Sequence, residues 1–172
     1  MQKTLLHGSP SRLKLIEPRW QVAPDGRGAE FVFAQPRQDI AHAYALKTAA
    51  VVRVGVNGNS CYIVVTPEEG QSWRRGLARC NGRIGGYIYE VPQRGFRQVI
   101  TPANDLEWVS MRPKTPLSRR FVSIEDAMRQ GVHIFCITDV QRFSYHSSGW
   151  DYHGARPFIY KGVDLLPVVT PV

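Results

Sequence analysis

The sequence of 172 residues is short of acidic side chains and contains no long apolar run. Fourteen Asp and Glu stand against 22 Lys and Arg, so the net charge is +8 and the isoelectric point is about 9.8. No apolar stretch reaches the roughly 18 residues that a membrane-spanning helix needs. Only two leucines follow the first four residues, which is too few for the apolar region of a secretory signal. We therefore expect a cytoplasmic protein that does not cross a membrane.

Cysteine is also scarce. The chain has three cysteines, Cys61, Cys80 and Cys136. Their odd number and wide spacing argue against a disulfide framework. No CxxC pair and no cluster of Cys and His has the spacing of a zinc site, so we expect no metal. Two of the three cysteines lie in apolar, strand-like runs, and we interpret them as buried free thiols.

Length and composition favour one domain over residues 1–172 with an ordinary hydrophobic core. Fifteen Gly and 12 Pro interrupt the chain often, which is typical of short strands joined by turns. No repeat is visible, and strands and helices do not alternate as they do in a parallel sheet. The predicted fold class is therefore α+β, with short, mostly antiparallel strands and few helices.

Local patterns predict the individual elements. Residues 57–60 begin with Asn-Gly, the strongest signal for a hairpin turn, and join two apolar runs. Ser123 is a predicted helix N-cap, and Gly131 is the predicted stop of that helix. Residues 10–29 show no period and are predicted to be a loop with a turn at 23–28. The remaining predicted strands cover residues 1–9, 30–34, 51–56, 61–65, 86–91, 106–111 and 132–138, and the other predicted helix covers 38–47. Residues 144–171 are rich in aromatic side chains, and they fit either a packed irregular segment or a binding surface.

Three short motifs stand in a suggestive order. The first strand ends in His7-Gly8-Ser9. Residues 31–34, Phe-Val-Phe-Ala, precede a helix that carries Tyr44. A third strand opens with Glu107, followed by Trp, Val and Ser. This series resembles the ADP-ribosyltransferase superfamily, in the branch with a His-Tyr-Glu pattern that includes poly(ADP-ribose) polymerases and diphtheria toxin.

The resemblance implies a split two-sheet core and NAD as the co-substrate. It implies that His7 hydrogen-bonds a ribose hydroxyl of NAD with help from Ser9, that Gly8 offers backbone hydrogen bonds, and that Tyr44 is a platform for nicotinamide. If the alignment of residues 31–34 with the family's second motif is shifted by one residue, Phe33 takes the aromatic position of that motif. Phe31 and Phe33 also share one face of the strand, which is typical of core residues. The implied NAD-binding residues are His7, Gly8, Ser9, Phe33 and Tyr44.

The residue types agree with the chemistry of NAD cleavage. Breaking the bond between nicotinamide and ribose builds positive charge on the ribose, as in glycoside hydrolysis, and a nearby carboxylate stabilises that charge. By resemblance, Glu107 is the catalytic carboxylate. Asp105 stands two residues earlier, where relatives that modify arginine have Glu and those that modify asparagine or cysteine have Gln. This difference argues against those targets.

A basic stretch supplies a candidate acceptor site. Arg74, Arg75 and Arg79 lie close together in the sequence and could grip phosphates, while Trp73 could stack on a base. We interpret the three arginines as helical neighbours. Lys114, Arg119 and Arg120 form a smaller basic patch. DNA or RNA is therefore a candidate acceptor beside protein, and a solvated basic face is the alternative.

Three functions follow from these patterns. The first is an NAD-dependent ADP-ribosyltransferase; by analogy, a small enzyme of this type suits a bacterial or phage toxin or host-takeover factor. The second is an RNA 2′-phosphotransferase that uses NAD on the same fold. The third is a non-catalytic basic domain that binds nucleic acid.

Overall fold

The computed structural model describes residues 3–22, 28–48, 53–57, 60–65, 67–100, 106–136, 145–146, 149–150, 156–161 and 164–167. Within these residues the fold is α+β, with three helices and mostly antiparallel strands in several sheets, which confirms the predicted class. The strands are β1 (Thr4–Ser9), β2 (Arg19–Val22), β3 (Gly28–Ala34), β4 (Arg53–Asn57), β5 (Ser60–Val65), β6 (Ala78–Cys80), β7 (Arg83–Pro92), β8 (Arg97–Ile100), β9 (Leu106–Ser110), β10 (Ser118–Ser123), β11 (Val132–Cys136), β12 (Tyr145–His146), β13 (Gly149–Trp150), β14 (Arg156–Lys161) and β15 (Asp164–Pro167). The helices are α1 (Gln38–Ala45), α2 (Pro67–Gly76) and α3 (Ile124–Arg129).

The strands form three main sheets. The first sheet has the order β1-β7-β10, with β6 also paired to β7. The second has the order β2-β3-β9-β8, and the third has the order β15-β14-β11-β5-β4. The short strands β12 and β13 pair with each other. No helix among the described residues is long and apolar enough to cross a membrane.

The first and second sheets meet where β1 crosses the end of β3. Leu6 and Gln35 exchange two backbone hydrogen bonds of 2.7 Å, one in each direction. An apolar cluster fills the space behind this junction and takes side chains from both sheets, among them Leu5, Val32 and Tyr89. The junction therefore fixes the position of β1 relative to β3.

Helix α1 packs closely against the other face of the first sheet. Its small residues Ala41 and Ala45 lie against Ile88 and Val122. A Cβ added at Gly8 would lie 2.0 Å from the Ala41 carbonyl oxygen, so only glycine allows the helix to cross β1 there. The opposite face of α1 joins the largest apolar cluster, together with the third sheet, α2 and α3.

Several predictions from sequence are confirmed. Asn57 pairs with Ser60 in the antiparallel hairpin of β4 and β5; the two residues between them lie outside the described part of the chain. Ser123 caps α3 in a capping box with Asp126. Gly131 follows with a φ of +90°, a backbone conformation that glycine adopts readily. Helix α1 begins at the predicted residue and ends at Ala45, two residues early.

Other predictions are wrong. Residues 10–29 are not all loop, because β2 pairs with β3 along Arg19–Val22 and β3 begins at Gly28. The strands are mostly antiparallel, as predicted, but β5 and β11 form a parallel pair that the sequence did not indicate. Many residues separate β5 from β11, so the pair does not show the strand-helix-strand pattern by which a parallel pair is recognised in a sequence. Helix α2 was not among the predicted elements, although Arg74 and Arg75, which lie in it, were interpreted as helical neighbours; its sequence is strongly polar and contains Gly70.

Gly8 gives a direct test of the contact between α1 and β1. We expect Gly8→Ala to lower the free energy of unfolding by about 3 kcal/mol, because the new methyl group overlaps the helix backbone. The control is Gly82→Ala, where an added Cβ meets no described atom within 4 Å and only the positive φ of 74° opposes the change. That control should cost about 1 kcal/mol. Equal losses for the two variants in urea unfolding would contradict the close crossing.

Candidate functional site

A cleft of about 470 Å³ opens where β1, β3 and α1 meet. This volume lies within the range of small-molecule binding sites. All five residues that the sequence assigns to NAD binding line the cleft: His7, Gly8, Ser9, Phe33 and Tyr44. Residues from distant parts of the sequence therefore meet at one place, at the junction of the two sheets.

His7 is anchored to the second sheet by its ring. Its Nδ1 donates a hydrogen bond of 2.7 Å to the Phe33 carbonyl oxygen, which can only accept. The pKa of His7 is below its usual 6.5, chiefly because the ring is buried. The hydrogen bond to Phe33 opposes this shift, and the positive charge of Arg19 adds to it. The ring is therefore neutral at pH 7, and Nε2 carries a lone pair. His7 can accept a hydrogen bond from a ligand hydroxyl.

Tyr44 and Glu107 are electrostatic neighbours. Burial raises the pKa of the Tyr44 phenol, and the Glu107 carboxylate raises it further, so the phenol stays neutral at pH 7. The Lys47 ammonium lies 5.2 Å from the centre of the Tyr44 ring. Partial desolvation lowers the pKa of Lys47, and the Glu107 carboxylate opposes that shift. The half-buried Glu107 thus lies near two residues that line the cleft, although it is not itself among the lining residues.

The other predicted residues have clear structural surroundings. Ser9 is buried, and its Oγ accepts a hydrogen bond of 3.2 Å from the Ser11 amide. Phe33 is half-buried and contacts Phe31 edge to face, with 5.9 Å between ring centres. The Cβ direction of Gly8 faces α1, so the helix crossing requires the glycine whether or not a ligand also approaches its backbone.

Among the further residues that line the cleft, four that were not singled out from sequence carry polar or aromatic groups used below: Arg19, Trp20, Gln35 and Lys47. Trp20 is 70% exposed, and its indole lies over Gly28. Arg19 and Trp20 were missed because residues 10–29 were predicted to be a loop. Lys47 could have been found, since it stands one helical turn after Tyr44. Nothing in the sequence marks Gln35, whose importance depends on the strand pairing.

The basic stretch differs from its prediction in two respects. Trp73 is fully buried, and its Nε1 donates a hydrogen bond of 2.7 Å to the Leu46 carbonyl oxygen, so it cannot stack on a base. Arg79 is not a helical neighbour of Arg74 and Arg75, because α2 ends at Gly76 and Arg79 lies in β6. The C-terminal end of α2 lies near the cleft, since Gly76 packs against Thr48, a lining residue.

The smaller basic patch is also corrected. Lys114 is buried, and its Nζ donates a hydrogen bond of 2.8 Å to the Arg94 carbonyl oxygen. Its charge also lies over the Phe96 ring, 4.6 Å from the centre, so Lys114 stabilises the fold and is not part of a surface patch. Arg119 and Arg120 are exposed on β10.

Comparison with known proteins found no matching family model, no matching curated protein and no matching solved structure. Within the described ranges, no group of three or more His, Cys, Asp or Glu is arranged to hold a metal ion. Cys61 is buried, as expected, and Cys80 is half-buried; neither forms a disulfide among the described residues. The chemical properties of the cleft therefore carry the functional argument.

The neutral, buried His7 predicts a pH effect on stability. Well above pH 6.5 the His7 ring is neutral in both the folded and the unfolded chain. As the pH falls below 6.5, the unfolded chain takes up a proton while the folded chain does not, so the free energy of unfolding decreases. The decrease stops when the pH reaches the lowered pKa of the folded state. We expect His7→Asn, which keeps a donor for the Phe33 oxygen and does not titrate, to lose less stability than the wild type between about pH 7 and about pH 5. Urea unfolding at each pH measures this, and identical losses would contradict it. Burial also lowers the pKa of His42, which accounts for part of the slope that remains.

Proposed function

We propose that the protein is an NAD-dependent ADP-ribosyltransferase. The observation that carries this proposal is that His7 and Tyr44 line one cleft. Glu107 is not among the lining residues, but its carboxylate lies near enough to raise the pKa of Tyr44. These are the three residues of the His-Tyr-Glu pattern, and they come from β1, α1 and β9. In this proposal the first and second sheets are the two halves of an ADP-ribosyltransferase core.

The chemistry of the cleft suits a dinucleotide. The lone pair on His7 Nε2 can accept a hydrogen bond from a ribose hydroxyl. Arg19 and Lys47 line the cleft and offer positive charge to a pyrophosphate. Tyr44 and the exposed indole of Trp20 supply flat surfaces for the nicotinamide and adenine rings. Each part of NAD thus has a matching group.

In the proposed reaction, Glu107 stabilises charge that develops on the ribose. The bond between the nicotinamide nitrogen and the ribose carbon breaks, and nicotinamide leaves with the bonding electrons. An oxygen or nitrogen of the acceptor forms the new bond to that carbon and loses its proton. The carboxylate interacts most strongly with the positive charge of the transition state, so it accelerates the reaction more than it aids binding. Because the Tyr44 phenol is neutral, the Glu107 carboxylate is not joined by a second negative charge, and the Tyr44 ring can still pack against nicotinamide.

The acceptor in this proposal is an anionic macromolecule, with DNA or RNA as the first candidate. Arg75 and Arg79 are exposed, and α2 ends against Thr48 at the edge of the cleft. The net charge of +8 would raise the rate of encounter with a polyanion. These arginines would hold phosphates beside the reacting ribose, without a stacked Trp73.

Replacing the carboxylate tests the catalytic assignment. We expect Glu107→Gln to lower nicotinamide release from NAD by about 100-fold or more while NAD affinity stays within a few-fold of the wild type. The matched control is Glu90→Gln, an exposed carboxylate on β7 that bonds Ser118 and should leave turnover unchanged. Circular dichroism checks that both variants fold.

Three results would redirect the functional assignment. Wild-type turnover in Glu107→Gln would contradict the catalytic role. Nicotinamide release that requires a 2′-phosphorylated RNA would support the phosphotransferase. Failure of the wild type to cleave NAD, together with tight salt-dependent binding of nucleic acid, would support a non-catalytic domain.

The acceptor assignment has its own test. We expect the double variant Arg75→Ala, Arg79→Ala to lose most of the ADP-ribose transfer to nucleic acid while its hydrolysis of NAD is unchanged. Its nucleic-acid affinity should also depend less on salt, with a slope lower by about 1 for each phosphate that the variant no longer binds. Arg94→Ala removes another exposed arginine, outside the cleft, and is the control. Equal loss of hydrolysis and transfer would mean that these arginines serve NAD or stability.

A further inference from the structure

Gln35 occupies the junction between the two sheets. Its backbone nitrogen and oxygen are both bonded to Leu6 at 2.7 Å, so its main chain is held firmly. Its side chain is only 4% exposed and lines the cleft. The position of Gln35 is therefore set by the crossing of β1 and β3 and leaves little freedom for the side chain.

The Gln35 amide nitrogen has no hydrogen-bond partner among the described residues. Burying an unpaired donor costs about 1–3 kcal/mol, and native proteins contain few such groups. An apolar side chain of the same shape would fill this space without that cost. A buried donor that lines a cleft and has no acceptor among the described residues points to a ligand as its partner.

The neighbours of Gln35 indicate which ligand atom it meets. Ala34 pairs with Trp108, so continuing the register by one residue sets Gln35 opposite Glu107, with both side chains on the face that carries Phe33. On the other side, His7 is bonded to the Phe33 carbonyl. The unpaired donor thus lines the same cleft as one acceptor, His7 Nε2, and the extended register sets a second acceptor, the Glu107 carboxylate, across from it on the neighbouring strand.

A vicinal diol matches this arrangement of donor and acceptors. Each hydroxyl can donate its hydrogen to an acceptor, while its oxygen accepts a hydrogen bond from a donor. We propose that Gln35 Nε2 donates to a hydroxyl oxygen of a ribose diol bound in the cleft, and that Gln35 is a positioning residue for the reaction. This inference rests on the proposed function, because ribose is the diol that NAD supplies.

A glutamine that binds a ligand and a glutamine that only stabilises the fold respond differently to substitution. Gln35→Met removes the donor and keeps the shape, so the ligand-free protein should be as stable as the wild type or more stable. Affinity for ADP-ribose, which carries the ribose diols and has no nicotinamide bond to cleave, should fall about tenfold. Gln98→Met, at an exposed position of β8, should change neither quantity.

Thermal unfolding without ligand and calorimetric titration with ADP-ribose measure the two effects. A clearly lower melting temperature for ligand-free Gln35→Met would overturn the inference, because the amide would then stabilise the fold. Unchanged ADP-ribose affinity in that variant would also overturn it, and the proposed function would stand. Binding that depends on Gln35 without nicotinamide release from NAD would support the inference and contradict the transferase. A wild type that binds neither NAD nor ADP-ribose would overturn both.

Discussion

The crossing of β1 over the end of β3 is the constraint on which the rest of the site depends. Two backbone hydrogen bonds between Leu6 and Gln35 join strands from different sheets, and the His7 ring adds a third bond to the Phe33 carbonyl. These bonds hold β1 where it ends beside the second sheet. The same contacts select the tautomer of His7 and bury the amide of Gln35. The bonds between β1 and β3 thus determine both the shape of the cleft and the polar groups that His7 and Gln35 present in it.

The close packing of α1 against β1 completes the site. Gly8 lets the helix backbone approach the strand, and this approach brings Tyr44 and Lys47 to the same cleft as His7. Glu107 lies on β9, which pairs with β3 and is therefore positioned by the same junction, although Glu107 is not among the residues that line the cleft. These contacts set the backbone positions around the cleft before a ligand arrives, which favours binding because little backbone freedom is lost.

Local signals in the sequence were sufficient for part of this structure. The Asn57 hairpin and the Ser123 cap follow from turn and capping chemistry that depends on a few adjacent residues. Of the residues in the His-Tyr-Glu pattern, His7 and Tyr44 line one cleft and Glu107 lies outside its lining, so the roles of all three stay predictions. The burial of Trp73 and Lys114 could not be predicted, because a bulky or charged side chain becomes part of the core only through contacts with distant residues. The same holds for Gln35, whose role depends on strand register.

The central claim is that the cleft at the sheet junction binds NAD with its ribose between His7 and Glu107. The most direct measurement is a crystal structure of the Glu107→Gln variant grown with NAD, because that variant should bind the dinucleotide and not cleave it. We expect a ribose hydroxyl within hydrogen-bond distance of His7 Nε2 and the nicotinamide ribose beside position 107. NAD bound elsewhere on the protein, or no NAD in the cleft at saturating concentration, would contradict the account.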